Sequence, residues 1–283
     1  MIKFICDSTA DIPQVLIDEL DIRVVPTHLI WGDRDYLDRV DIQPEEFYRR
    51  ITTETPPYPT TSTPTLIEFQ EAYEAAIADG ASEIVCLPLG SGLSSTINLA
   101  RHAAEGYKTP IYVLDSLGTT MLTGWQVLAG ARLAAQGGSI EEVLERIEET
   151  RNSVFVLFGL DSISWISRGG RMRNAFRWLG SNLPIKPVLL LTSEKGKFEA
   201  IAIKRTSKGM KEGLLNALFN KVPDLSRCRL IILHGDAFEA ALEMKERILN
   251  VAQPLELYVS STGPVVGLNT GPKALGLCAH IED

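Results

Sequence analysis

The sequence predicts a two-domain α/β protein, with a parallel sheet in the N-terminal domain and a mixed sheet in a C-terminal α/β domain. Three observations carry this. At 283 residues the chain reaches the size at which one core tends to divide in two. In its first half, strand-length apolar runs alternate with amphipathic segments of helical length, the pattern of parallel β-α units with right-handed crossovers. In its second half the apolar runs come in pairs about glycine turns, as antiparallel strands do. The expected domains are 1–152 and 153–283.

Taken in order, "IKFIC" reads as a strand and "IPQVLIDEL" as the helix after it. The stretch "RVVPTHLIWGDRDYLDRVDI" then breaks the alternation with two extended segments around Gly32-Asp33, a β-hairpin signal. This 22–45 hairpin is a candidate for the other domain's sheet. Pro56, Pro57 and Pro59 enforce extended backbone, and "TSTP" leads into the amphipathic "LIEFQEAYEAA", with Thr63 as candidate N-cap and Pro64 in the first turn. The pairs "EIVCLPL" with "STINLARHAAEG" and "IYVLD" with "TGWQVLAGARLAAQG" complete the first half. Beyond it, "VFVLFG" is a strand and "IKPVLLLTSEKGKFEAIAIKRT" two strands about a glycine turn. "RLIILHGDAFEAALEMKERILNVA" reads as strand, turn and helix, and "LELYVSSTGPVVGLNTGPKALGLCAHIED" as two strands around a Gly/Pro loop.

Parallel sheets place their working loops beyond the carboxyl ends of the strands. Three such loops, "CDSTAD", "PLGSGLSST" and "LDSLGTT", therefore share one rim. Each contains serine and each leads towards a helix. Helix N-termini offer unpaired amides and a partial positive charge, so this rim can receive a carboxylate or phosphate without lysine or arginine. Ser91 and Ser94, with amides from Gly92 onward, form one such constellation; Thr61 and Ser62 offer a second hydroxyl pair. The same residue types also serve ordinary turns and caps, and both readings stand at this point.

Composition narrows the field. With 28 Lys and Arg against 36 Asp and Glu, a formal charge of -8, the molecule is repelled by nucleic acids and anionic lipid surfaces. Cys6, Cys86, Cys228 and Cys278 are far apart, with no C-x-x-C pair and no clustered histidine, which speaks against zinc and disulfides. The segment "MIKFICDSTADIP" has no secretory pattern and no run suits a membrane span. A cytoplasmic protein is expected.

The motifs of enzymes fit poorly. "GLSST" carries Thr96 where the last glycine of G-x-S-x-G belongs, and of His28, His102, His234 and His280 only His234, in "LHGD", lies at a plausible site edge. "GSGLSST" lacks the lysine of a phosphate-binding loop. Asp7, Asp11 and Asp115 are candidates for magnesium or for loop hydrogen bonds. A serine or phosphate-ester hydrolase using Ser94 and His234 stays open as an alternative, as does a binder of another small carboxylate or phosphorylated metabolite. "SRGGRMRNAFRW" adds a positive feature through Arg168, Arg171, Arg173 and Arg177, with Arg171 behind two glycines that permit close backbone approach.

Motifs in a fixed order extend this reading: "DSTAD", "TSTPT" for TSxPS, "SGLSST" for SSGLSGT, "VLDS", "RGGRM" for GGRI, "IKPVL" and "GPVVGLNTGPKALG". In them the chain resembles the DegV family of bacterial fatty-acid-binding proteins over nearly its whole length. The resemblance implies a two-domain α/β protein that buries one long-chain fatty acid between its domains, needs no cofactor, and is itself no enzyme. It further implies a partner, a separate fatty acid kinase that makes the acyl phosphate for phospholipid synthesis. Thr61, Ser62, Ser91, Gly92 and Ser94 are then the expected carboxylate ligands, and Arg171 the charge near the head group or kinase contact. Three positions depart from the family pattern. Asn269 replaces a histidine near the head group and can donate a hydrogen bond but not become charged; Lys273 and Ser95 replace glycines.

Overall fold

The computed structural model describes residues 1–54, 57–166, 184–194 and 196–282. In the first half, β1 (Ile2–Asp7), α1 (Gln14–Glu19) and β2 (Ile22–Val25) lead into the hairpin β3 (His28–Trp31) and β4 (Arg34–Leu37). Then come α2 (Pro44–Thr53), β5 (Thr60–Ser62), α3 (Leu66–Ala78), β6 (Glu83–Leu87), α4 (Thr96–Ala103), β7 (Ile111–Val113), α5 (Met121–Ala135) and α6 (Ile140–Ser153). In the second half, β8 (Val154–Gly159), β9 (Lys186–Thr192) and β10 (Phe198–Lys204) precede α7 (Ser207–Lys221) and β11 (Cys228–His234). The chain closes with α8 (Phe238–Leu249), β12 (Glu256–Ser261), α9 (Pro264–Thr270) and β13 (Leu275–Ile281).

The strands form a parallel sheet β2-β1-β6-β7, a mixed sheet β10-β9-β8-β13-β11-β12 in which only β11 and β12 pair in parallel, and a small antiparallel sheet β4-β3-β5. The α/β class with a parallel and a mixed sheet is thus as the sequence predicts. The hairpin expectation needs correcting: β3 and β4 do not join the second half's sheet. Their partner is β5, with Leu29 opposite Thr61. Leu29 and Trp31 instead bury themselves against Phe47 and Tyr48 of α2 and Val265 of α9, which gives the hairpin an apolar floor of its own.

Layering follows from which strand faces are apolar. Alternate residues of β1 serve two cores, Phe4 and Cys6 on one face and Ile5 on the other, as expected of a central parallel strand. On the Ile5 face, Phe69 and Tyr73 of α3 and Ala100 of α4 complete the packing. The opposite face meets α5, which is apolar around most of its circumference and therefore belongs in an interior. Trp125 and Leu128 of α5 share one core with Val156 and Phe158 of β8 and Cys278 of β13. The two large sheets are thus joined through one helical layer, while α7 and α8 cover the far face of the mixed sheet with Leu214, Leu218 and Met244. Gly130 permits the fit, because a Cβ there would come within 2.9 Å of Phe4 and Ile147 side-chain atoms.

Two local expectations are revised. The N-cap of α3 is Thr65 rather than Thr63: its hydroxyl accepts from the Glu68 amide, and the Glu68 carboxylate accepts from the Thr65 amide. This reciprocal pair satisfies two terminal donors, which Thr63 ahead of Pro64 does not. Thr65→Ala should lower the unfolding free energy by about 1 kcal/mol, read from urea midpoints at unchanged slope. The Gly/Pro loop near the C-terminus contains a helix, α9, with Pro264 in its first turn, where the missing N–H costs no helical bond.

Candidate functional site

At the carboxyl ends of β1, β6 and β7 the three predicted rim loops are stitched together by two carboxylates, the buried Asp7 and the half-buried Asp115. Asp7 accepts from the Thr9 amide at 2.9 Å and from the Leu89 amide at 2.6 Å, linking the loop after β1 to that after β6. Asp115 accepts from the Ser91 amide at 3.1 Å and the Leu117 amide at 3.0 Å, linking the loops after β6 and β7. Burial opposes its charge, but these bonds and the Ser91 hydroxyl hold Asp115 below the usual carboxylate range. Gly90 donates to the Gly118 carbonyl at 2.8 Å. Any Cβ at Gly90 would lie 2.4 Å from the Gly118 nitrogen, so this close approach requires glycine.

Facing this rim are β5 and α9, and among them lies a cavity enclosing about 670 Å³ of atom-free space, part of it open to solvent. Its described lining is of two chemistries. Hydroxyl-bearing residues are Thr9, Thr27, Thr61, Ser62, Thr63, Ser94, Thr96, Thr119 and Thr270, of which Thr9 already donates to Asp7 and Thr270 to the Val266 carbonyl. Apolar surface comes from Leu89, Leu93, Phe158, Phe198, Val265 and Val266, with the Phe158 and Phe198 rings 6.0 Å apart. No described lining residue carries a charge. Such a wall can solvate an anionic group with neutral donors and hide a hydrocarbon from water.

The sequence-predicted residues divide. Thr61, Ser62, Ser94 and Asn269 come together on the cavity although up to 208 positions separate them in the chain (269 minus 61). Ser91 and Gly92 do not line it; they sit in an exposed turn, and the Ser91 amide is taken by Asp115. Arg171, with Arg168, Arg173 and Arg177, lies outside the described residues. The Ser94 hydroxyl pairs with that of Thr96 at 2.8 Å and accepts from the Thr96 amide, so it also shapes the start of α4. Asn269 donates to the Val265 carbonyl at 3.0 Å, while its amide oxygen is buried with no partner among the described residues.

Sequence reasoning missed several lining residues. Thr9 and Thr119 stand in loops that the sequence places on the rim, where serine is the more conspicuous signal. Thr96 counted merely as the residue that spoils the esterase motif. Thr27 and Phe198 gave no local signal, because they reach the cavity through long-range packing of the hairpin and of β10. His234, by contrast, is absent from the lining; its Nδ1 accepts from the Ala237 amide within its own turn, and burial pushes its pKa down. Ser94 and His234 therefore form no hydrogen-bonded pair.

Behind the hydroxyl wall sits a buried ionic group. Asp11 accepts from Arg39 at 2.7 Å and from the Gly263 amide at 2.8 Å. Arg39, with 24 % of its side chain exposed, also donates to the Ser261 carbonyl, tying the first loop to the end of β12. Asp38 accepts from the Ser8 hydroxyl at 2.7 Å, and Ser8 in turn lies 2.7 Å from the Thr27 hydroxyl. Burial pushes the carboxyls of Asp7, Asp11 and Asp38 up, that of Asp38 to about 6 despite Arg39 and Ser8. Among the described residues no three His, Cys, Asp or Glu side chains are grouped to hold a metal; Asp7, Asp11 and Asp115 each serve a different loop junction. No described helix is long and apolar enough to cross a membrane.

A family model described as "Uncharacterised protein, DegV family" matches residues 1–282. A DegV domain-containing protein of Caldanaerobacter subterraneus is 30 % identical over 278 residues, 98 % of this chain and 97 % of that protein. Among solved structures, a DegV family protein from Thermus thermophilus described by its fatty-acid binding superposes with a TM-score of 0.90 at 31 % identity, over 99 % of each chain. DegV of Bacillus subtilis, described as a fatty acid binding protein, superposes with a TM-score of 0.89 at 26 % identity, again over 99 % of each chain.

Proposed function

The chain belongs to the DegV family, and from that premise we propose that it binds one long-chain fatty acid in the cavity and presents its carboxylate to a separate fatty acid kinase. The acyl tail lies against Leu93, Phe158, Phe198 and Val266, and the carboxylate against the hydroxyls of Thr61 and Ser94. The observation that carries this reading is the lining itself, which combines apolar side chains with hydroxyl-bearing ones and is free of charge among its described members. Each buried methylene contributes about 0.8 kcal/mol, so the tail supplies most of the affinity. The carboxylate needs its lone pairs satisfied rather than a counter-ion.

Neutral donors also suit a carrier that must give its ligand's head group to another protein. A carboxylate locked in a bidentate arginine pair is a poor nucleophile; one resting on hydroxyls keeps an oxygen able to attack a phosphoryl group. The phosphoryl chemistry belongs to the kinase in this scheme, and Arg171 is the charge that the family resemblance implies near the head group or the kinase contact.

Thermal unfolding with a homologous series of fatty acids beside acetate and phosphate tests the binding step. Stabilisation should grow with each added methylene, affinity rising about fourfold per group, and acetate and phosphate should have no effect at equal concentration. Equal protection by acetate, or none by any fatty acid, would overturn the reading. For the second step, a fatty acid kinase supplied with ATP should form acyl phosphate only when this protein is present.

A further inference from the structure

The hydroxyl chain between the cavity and Asp38 has a direction, and the proton count fixes it. Thr27 lines the cavity, its Oγ1 lies 2.7 Å from the Ser8 hydroxyl, and Ser8 lies 2.7 Å from Asp38 Oδ2. Ser8 also accepts from the Thr27 amide at 3.0 Å, so one of its lone pairs is occupied. With Asp38 ionised, Ser8 donates to Asp38 and Thr27 donates to Ser8, or directly to Asp38 at 3.4 Å. Thr27 then shows the cavity only lone pairs, which repel a carboxylate. With Asp38 protonated, its O–H donates to Ser8, Ser8 donates to Thr27, and the Thr27 hydrogen is released into the cavity. One proton on Asp38 reverses the whole chain.

Building on the fatty-acid reading, we infer that Asp38, Ser8 and Thr27 form a proton-linked positioning element, so that the fatty-acid carboxylate enters together with one proton taken up from solvent by Asp38. The surroundings agree with this assignment. Among the described residues, the groups facing Asp38 are Arg39 beside it in the chain, Asp11 from the loop after β1 and Tyr48 from α2; α9 brings only the Val265 amide, and Asp7 stands beyond Asp11. One guanidinium thus serves two neighbouring carboxylates, Asp11 and Asp38. Burial places the Asp38 carboxyl at about 6, so at neutral pH the free protein holds it mostly ionised. A second anion arriving at Thr27 raises that value further, which draws the proton in.

The sign follows by linkage. The bound state holds one proton more than the free state, so affinity falls as pH rises above the free-protein value, about tenfold per unit from about pH 7 to about pH 8. Below about pH 6 the free protein already carries the proton and the dependence flattens.

Isothermal calorimetry of palmitate binding, run in two buffers of different ionisation enthalpy, reads the proton directly. Wild type should take up close to one proton per palmitate at about pH 7.5. Asp38→Asn presents a fixed donor to Ser8, so its affinity should not vary with pH and its proton uptake should vanish. Thr27→Val cuts the chain while leaving Asp38 in place, and should reduce uptake to about half or less; it keeps the test alive if Asp38→Asn fails to fold. Palmitate binding without proton uptake in wild type overturns the inference and leaves the fatty-acid reading standing. So does uptake that persists in Asp38→Asn, which would put the proton on the ligand, or uptake in Thr27→Val equal to wild type. Absence of palmitate binding at every pH defeats both.

Discussion

Replacing Thr61 by Val and Ser94 by Ala together should raise the Kd for a long-chain fatty acid about a hundredfold, while the protein stays folded. Each hydroxyl donating to a carboxylate contributes about 1.5 kcal/mol or more, and two of them amount to about two decades in Kd. Valine keeps the β-branched shape of Thr61, which pairs with Leu29 across β3 and β5, so the small sheet should survive. Alanine at position 94 also removes the bond to the Thr96 amide at the start of α4, worth about 1 kcal/mol of stability. The separation of effects is the informative part. Affinity should collapse with little loss of fold, and the dependence on acyl length should persist because the apolar lining is untouched. Unchanged affinity in the double variant would remove these two hydroxyls from the head-group assignment.

A second large effect is expected from Trp125→Ala, in stability rather than binding. Trp125 is 1 % exposed and belongs to the core shared by both large sheets, and its indole N–H donates to the Cys278 carbonyl of β13 at 3.4 Å. Truncating a buried tryptophan costs about 3 to 5 kcal/mol, a large share of the roughly 5 to 15 kcal/mol that holds a domain folded. Because the core continues from Phe4 of β1 through α5 to Val156 of β8, the loss should weaken both halves at once. Urea unfolding should keep one transition with a much lower midpoint. Two separated transitions would show that the sheets have independent cores, and a small change would show that Trp125 is no keystone of their junction.

Much of the fold is legible in the sequence where the causes are local. The strand at "IKFIC" and its neighbours declare themselves through period and β-branching, and the rule about carboxyl ends then collects Thr9, Ser94 and Thr119 on one rim without any knowledge of the tertiary structure. The cap of α3 is also readable, since Thr65 and Glu68 have the spacing of a capping box, which competes with the Thr63-Pro64 pattern two residues earlier. What is not legible depends on distant pairing. The partner of the hairpin is β5, and only the tertiary structure shows that Leu29 and Trp31 need the α2 and α9 surfaces.

The site divides in the same way. Thr61, Ser62, Ser94 and Asn269 carry motif signals and line the cavity. Ser91 and Gly92 carry the same signal but are exposed, and the Ser91 amide is taken by the Asp115 carboxylate rather than offered to the cavity. The Asp38-Arg39 pair was invisible for a different reason. In "RDYLDRVD" it reads as a solvated stretch of a charged hairpin, yet folding carries Asp38 to 1 % exposure beneath Ser8 and Thr27. Charge patterning along a chain reports where water is expected, not which charges a neighbouring element later covers.

The most direct measurement is native mass spectrometry of the purified protein, followed by solvent extraction and identification of whatever leaves with the organic phase. One long-chain fatty acid per polypeptide is the expected result, lost on delipidation and regained on adding the same acid. Protein that is consistently empty, or that carries a short polar acid or a phosphate ester in place of a lipid, would contradict a cavity made to shelter a hydrocarbon tail.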